Sequence, residues 1–228
     1  MKAAGSRQPA VGSRNDSFRC RLPSTDCRLP RLMLVTDGAL LGEPRGAERI
    51  AAAVRGGVGL VQLRDRTVGA AELLARARTL RRLLPETLLL VNDRVDVARA
   101  ANADGVQLGA GALSVTEARR LMGAAALIGR SVHSLPEALE AETEGADFLM
   151  VGTIYPTATH PGKVPEGIDL LDAVAAAVPL PVYAIGGITA ANATECIRHG
   201  AHGVAVIRAI GDAQDPEMAA SQLLAGMG

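Results

Sequence analysis

The sequence predicts an α/β fold, a single-domain (β/α)₈ TIM barrel over residues 31–228 behind a disordered N-terminal extension, residues 1–30. Three observations predict it. Eight short aliphatic or β-branched runs recur from residue 31 onward, and segments of Ala, Leu, Glu and Arg with helical period lie between them. The runs start about 18 to 33 residues apart, the interval that a strand, a helix and two loops require. An open doubly wound sheet shares this alternation, but eight units in about 200 residues favour a closed barrel.

The runs, in order, are RLMLVTD (31–37), GLVQLRD (59–65), TLLLVND (87–93), GVQLG (105–109), LIGRSVH (127–133), FLMVGTI (148–154), PVYAIGG (181–187) and GVAVIRA (203–209). They are apolar nearly throughout, as strands of a parallel sheet covered on both faces are. AAELLARARTLRRLL and LPEALEAETEG carry the helical period between them. A weak repeat supports the unit: NADGVQLG, GADFLMVG and GAHGVAVI each set a small or turn-forming pair before a strand. Gly145, Gly200 and Asn102 suit the left-handed residue that ends a helix.

Of the 228 residues, 48% are hydrophobic and only four are Phe or Tyr, with no Trp, so Ala, Leu and Val must build the core. Formal net charge is zero, which supplies no electrostatic attraction for nucleic acid or a membrane surface. No apolar run reaches the length of a membrane-spanning helix. Cys20, Cys27 and Cys196 lack metal spacing, and their odd number fits a reducing cytoplasm. Residues 1–30 are basic, rich in Ser and Pro, and without apolar period, which reads as a solvated tail. Asp16, Asp26 and the missing apolar stretch argue against a targeting peptide.

In such a barrel the active site lies at the C-terminal ends of the strands, and the polar residues gather there. Thr36 and Asp37 end the first run, Gln62, Arg64, Asp65 and Arg66 the second, and Asn92 and Asp93 the third. Gln107, then Ser131 and His133, then Thr153, and finally Arg208 follow on later strands. Asp37 and Asp93 also suit plain helix N-caps. Arg64 and Arg66 suit a bidentate grip on phosphate or diphosphate, or else an ion pair with Asp65 between them. Asp93 can hold a divalent cation through that diphosphate. Gly186 and Gly187 in AIGGIT let backbone N–H groups approach an anion, and loops after strands seven and eight are the usual phosphate site in these barrels. VGTIYPTATHPG (151–162) then falls on the loop after strand six. Thr157, Thr159 and His160 offer hydrogen bonds there, and the long connection suits a lid that excludes water.

VQLRDR, VNDRVDVA, DGVQLG, GRSVHS, VGTIYPTATHPG, AIGGI and GVAVIRAI, in this order over residues 31–228, resemble the thiamine phosphate synthase family with its relative, thiazole tautomerase (TenI-type). The resemblance implies a transferase of thiamine biosynthesis that joins hydroxymethylpyrimidine diphosphate to thiazole phosphate and releases pyrophosphate. By matching position it implies Gln62, Arg64, Arg66, Asn92 and Ser131 at the diphosphate, with Asp93 binding Mg²⁺. It also implies Thr157, Thr159 and Gly187 on the thiazole phosphate side, where Gly186 and Arg208 fall by their place after strands seven and eight. The expected partners are these small phosphorylated molecules, with a homodimer as the assembly to test.

The chain departs from the synthase pattern in places. Gln107 stands for a histidine, residues 110–112 lack the second magnesium carboxylate, and His160 replaces the lid lysine. Arg66 stands for a lysine and Arg208 for a serine. These departures keep two alternatives open: a metal-free, cofactor-free isomerase acting on thiazole carboxylate phosphate, or a binding protein without turnover. Ser131, His133 and His160 are the candidate catalytic residues, and an isomerase would need His133 or His160 for proton transfer.

Overall fold

The computed structural model describes residues 29–157, 162 and 164–228. In chain order the elements are β1 (Leu32–Val35), α1 (Gly38–Gly42), α2 (Gly46–Arg55), β2 (Leu60–Leu63), α3 (Ala70–Leu83), β3 (Leu88–Asn92), α4 (Val95–Ala100), β4 (Gly105–Leu108) and α5 (Val115–Met122). They continue with β5 (Leu127–Val132), α6 (Leu135–Thr143), β6 (Phe148–Val151), α7 (Gly167–Ala177), β7 (Val182–Ile185), α8 (Ala193–Arg198), β8 (Gly203–Val206), α9 (Arg208–Gly211) and α10 (Pro216–Ala225). The eight strands are parallel and close in sequence order, with β1 pairing both β2 and β8. The open doubly wound alternative is excluded.

Alternation along each strand makes two cores. Leu32, Leu34, Val61, Leu63, Leu89 and Val91 point outward and pack under the helices. Met33, Val35, Leu60, Leu90, Phe148, Met150 and Tyr183 point inward and fill the barrel. Two of the few aromatic residues are spent here, with the Phe148 and Tyr183 rings edge to face at 5.5 Å. The Tyr183 hydroxyl donates to the Pro30 carbonyl, and His202 Nε2 meets the Leu29 carbonyl at 2.7 Å. Leu29 is buried in this inner core, so the segment entering β1 stoppers the N-terminal end. The opposite end stays open for chemistry.

The weak repeat has a physical cause. Asp104 accepts the Leu89 N–H at 2.7 Å and pairs with Arg81 of α3 at 2.7 Å. Asp147 repeats this with the Ile128 N–H at 2.7 Å and Arg119 of α5 at 2.6 Å. Each aspartate ties a strand to the helix before it. Gly145, Gly200 and Asn102 hold φ of 90°, 85° and 52°, the left-handed helix ends that their residue types suit.

Candidate active site

Alternation at the end of β2 separates two kinds of charge. Gln62, Arg64 and Arg66 line the cavity at the mouth of the barrel. Asp65 turns the other way, where its Oδ2 meets Arg76 of α3 at 2.6 Å and its Oδ1 accepts the Thr67 N–H and hydroxyl at 2.8 and 2.7 Å. The ion pair expected among Arg64, Asp65 and Arg66 therefore does not form. Thr36 clasps the Arg64 backbone, accepting its N–H at 2.9 Å and donating to its carbonyl at 3.3 Å. Among the described residues neither guanidinium has a hydrogen-bonding or ion-pair partner. Burial, and then the like charge of Arg66, hold Arg64 below its ordinary range against the pull of Asp93, Asp37 and Asp65. A guanidinium stays charged under such pressure, so the pair is set for an anion.

Asp93 anchors a chain of side chains beside them. Its Oδ1 accepts the Gly109 N–H at 2.8 Å, and its Oδ2 accepts from Asn92 Nδ2 at 2.7 Å. Asn92 Oδ1 is thereby turned to accept from Gln62 Nε2 at 2.7 Å. The carboxylate fixes the direction of both amides, because it can only accept. Asp93 sits at φ 57°, a conformation that costs a side-chain-bearing residue energy and is held by this network. Asp93 is not an N-cap: Arg94 holds that position in α4, while Asp37 does cap α1 through the Leu40 N–H at 2.9 Å. Gln62 and Asn92 each keep a second amide hydrogen beyond these bonds, and the buried Gln62 Oε1 has no partner among the described residues.

Gln107 of β4 is buried, and its Nε2 donates to Ser131 Oγ of β5 at 3.0 Å, which leaves the Ser131 hydroxyl hydrogen free to donate into the cavity. Arg130 Nη1 of β5 reaches the Gly109 and Leu113 carbonyls at 3.0 and 3.3 Å and latches the β4–α5 loop. A charged residue at an outward position of an otherwise apolar run was the available sign of Arg130. His133 follows β5 and lines the cavity.

Residues 152–166 connect β6 to α7. Thr157 and Pro156 line the cavity; Thr159 and His160 lie outside the described residues. The Tyr155 hydroxyl donates to Glu195 of α8 at 2.6 Å and ties down the start of the loop. Gly186 and Gly187 line the cavity with φ of 102° and 66°. A Cβ on Gly187 would stand 2.6 Å from the Pro156 carbonyl oxygen, so the pair also lets the two loops touch. Arg208 lies in α9 rather than on β8, and its Nε is paired with Asp212 at 3.0 Å while it lines the cavity. Glu166, at the far end of the β6–α7 loop, carried no sign in the sequence. It stands between Pro165 and Gly167, and its partners include Thr153 and His133.

These groups face one cavity of about 570 Å³. Arg64, Arg66 and Arg208 line it, and among the described residues no carboxylate does. No described residues form a cluster of three or more metal-ligating side chains. No described helix is long and apolar enough to cross a membrane.

The sequence profile of a family described as thiamine monophosphate synthase matches residues 32–210. A thiamine-phosphate synthase of Chloroflexus aurantiacus is 44% identical over 198 residues, which are 86% of this chain and 91% of that relative. One from Synechococcus sp. (strain WH7803) is 44% identical over 197 residues, or 85% of this chain, and here the chain spans only 56% of the relative's length. In the solved thiamine phosphate pyrophosphorylase of Pyrococcus furiosus the same barrel recurs with a TM-score of 0.77 at 38% identity, covering 86% of this chain and 95% of that one. With its profile spanning all eight strands, the chain belongs to the thiamine monophosphate synthase family.

Proposed function

We propose that this chain makes thiamine phosphate by coupling hydroxymethylpyrimidine diphosphate to thiazole phosphate, with release of pyrophosphate. One observation carries the reading: a single cavity has anion-seeking groups on two sides. Arg64 and Arg66 follow β2, whereas Thr157 follows β6, four strands away in a ring of eight. Gly187 packs against the start of the β6–α7 loop at Pro156 with Gly186 beside it, and Arg208 follows β8, midway round the ring. The names of the relatives agree with a reaction between two phosphorylated molecules.

In this reaction the bond from the pyrimidine methylene carbon to the diphosphate oxygen breaks, and its electron pair leaves with the diphosphate. The carbon becomes cationic, and the lone pair of the thiazole nitrogen closes the new C–N bond without loss of a proton. Negative charge grows on the departing oxygen, where Arg64 and Arg66 would act with the second Asn92 amide hydrogen and the Ser131 hydroxyl; Gln62 and Gln107 orient these last two, and Thr36 fixes the Arg64 backbone. Donors fixed in advance stabilise such charge without reorganising. Water would trap the cation, so the β6–α7 loop is assigned to cover it.

The family implies Mg²⁺, and the donor set fits it in one way. Asp93 does not itself line the cavity but is bonded to Asn92 and Gly109, which do, and its oxygens each keep a lone pair beyond those two bonds. Mg²⁺ is commonly held by one or two carboxylates together with substrate phosphates, so Asp93 would hold it only in company with the diphosphate. When bound, it would neutralise charge on the leaving group. Calorimetry should show weak Mg²⁺ binding to the protein alone and clear binding once pyrophosphate is present. Equal binding in both cases would contradict this assignment.

The direct test supplies purified protein with both substrates, with and without Mg²⁺, and measures thiamine phosphate and pyrophosphate. Equal amounts of the two products, dependent on Mg²⁺, are expected. No thiamine phosphate from folded protein would refute the reading.

A further inference from the structure

Glu166 fastens the far end of the β6–α7 loop to its root. The Glu166 N–H donates to the Thr153 carbonyl at 2.8 Å, and the Thr153 N–H donates back to Glu166 Oε2. Glu166 Oε1 lies 3.3 Å from His133 Nδ1, and the same nitrogen touches the Gly152 carbonyl oxygen. The His133 backbone is held as well, its N–H donating to Glu137 at 2.8 Å. The Glu166 side chain is only 15% exposed, whereas that of His133 is 41% exposed and lines the cavity.

Both neighbours of Nδ1, a carbonyl and a carboxylate oxygen, are acceptors, so Nδ1 carries the proton. In a neutral ring the lone pair is then on Nε2. Among the described residues Nε2 has no hydrogen-bond partner. We propose that Glu166 is a positioning residue that holds His133 in the Nδ1–H tautomer, presenting the bare Nε2 to the amino group of a substrate heterocycle. This deepens the coupling reading and rests on it. In a cavity lined by three arginines, a neutral acceptor selects an amino-bearing heterocycle over a second anion. An amino group conjugated to a developing carbocation becomes a stronger donor as the diphosphate departs, so the acceptor is worth more at the transition state. By joining Thr153 to His133, Glu166 also sets the loop root and the ring together.

Long-range ¹H–¹⁵N spectra of the wild-type protein distinguish the two tautomers, and a His133→Asn variant assigns the ring among the four histidines. The expected signature has Nδ1 protonated and Nε2 bare. Glu166→Gln places an amide donor against Nδ1 if its oxygen stays on Thr153. It should shift the ring toward the Nε2–H form and lower kcat by about ten- to a hundredfold, by analogy with the loss when the hydrogen-bond partner of a metal-ligating histidine is removed. KM for thiazole phosphate should change less. Glu166→Asp should restore part of the kcat. A wild-type ring with its proton on Nε2 overturns the proposal whatever the variants do, and so does Glu166→Gln with unchanged tautomer and kcat. Wild-type protein with the expected tautomer but no coupling activity would overturn the coupling reading alone.

Discussion

Arg64 and Asp65 are neighbours in the chain and serve opposite sides of the barrel wall. Because Asp65 is spent on Arg76 and Thr67, Arg64 and Arg66 keep their charge for the cavity. Arg64→Ala should raise KM for the pyrimidine diphosphate and lower kcat/KM by about a hundredfold, the scale of losing one preorganised donor. Arg64→Lys should recover only part, since an ammonium lacks the planar fork. Steady-state kinetics on both variants check this. Asp65 itself makes a pH prediction. Burial alone would raise its carboxyl, but the Thr67 hydroxyl and N–H, then Arg76 and Arg64, outweigh burial and hold it below the usual range. A carboxyl depressed by folding contributes stability above its unfolded value near pH 4, and that contribution is lost as pH falls toward the folded value. Denaturant melts across the acid range should show wild-type stability dropping below about pH 4. Asp65→Asn should show a shallower drop from a lower plateau.

At the scale of elements, the site is two loop systems pressed together. Gly187 sits at φ 66° with the Pro156 carbonyl and Tyr155 Cβ where its own Cβ would be. Gly187→Ala should cost at least about 1–2 kcal/mol from the left-handed backbone alone, measured as a lowered melting midpoint. It should raise KM for thiazole phosphate and leave KM for the pyrimidine diphosphate nearly unchanged. The strands were legible because each is a buried apolar run, and all eight fall within the segments read from the sequence. The polar residues ending them were legible for the same reason, as interruptions of those runs. Arg208 was misplaced because the apolar run VAVI continues without a break into α9. The direction of an amide is not a property of its residue type, so the turning of Gln62 by Asp93 through Asn92 was beyond reading. Glu166 was equally hidden, since β5–β6 pairing brings it to a histidine 33 positions earlier.

For the whole molecule, the barrel divides its labour between its ends. The N-terminal end is sealed by Leu29, Pro30, Tyr183 and His202, and strand-to-helix ties at Asp104 and Asp147 brace the wall. That rigidity frees the C-terminal mouth to hold unpaired cations, a left-handed aspartate and a long loop, features that cost stability and serve binding. The central claim is that this one mouth holds two anions on opposite sides, diphosphate by β2 and thiazole phosphate by β6 and β7. The measurement that tests it most directly is a crystal structure of the protein with thiamine phosphate and pyrophosphate together. The account predicts pyrophosphate against Arg64, Arg66 and Asn92, and the phosphate of thiamine phosphate against Thr157, Gly186 and Gly187. Pyrophosphate seated at the glycine pair, with Arg64 and Arg66 touching neither ligand, would contradict it.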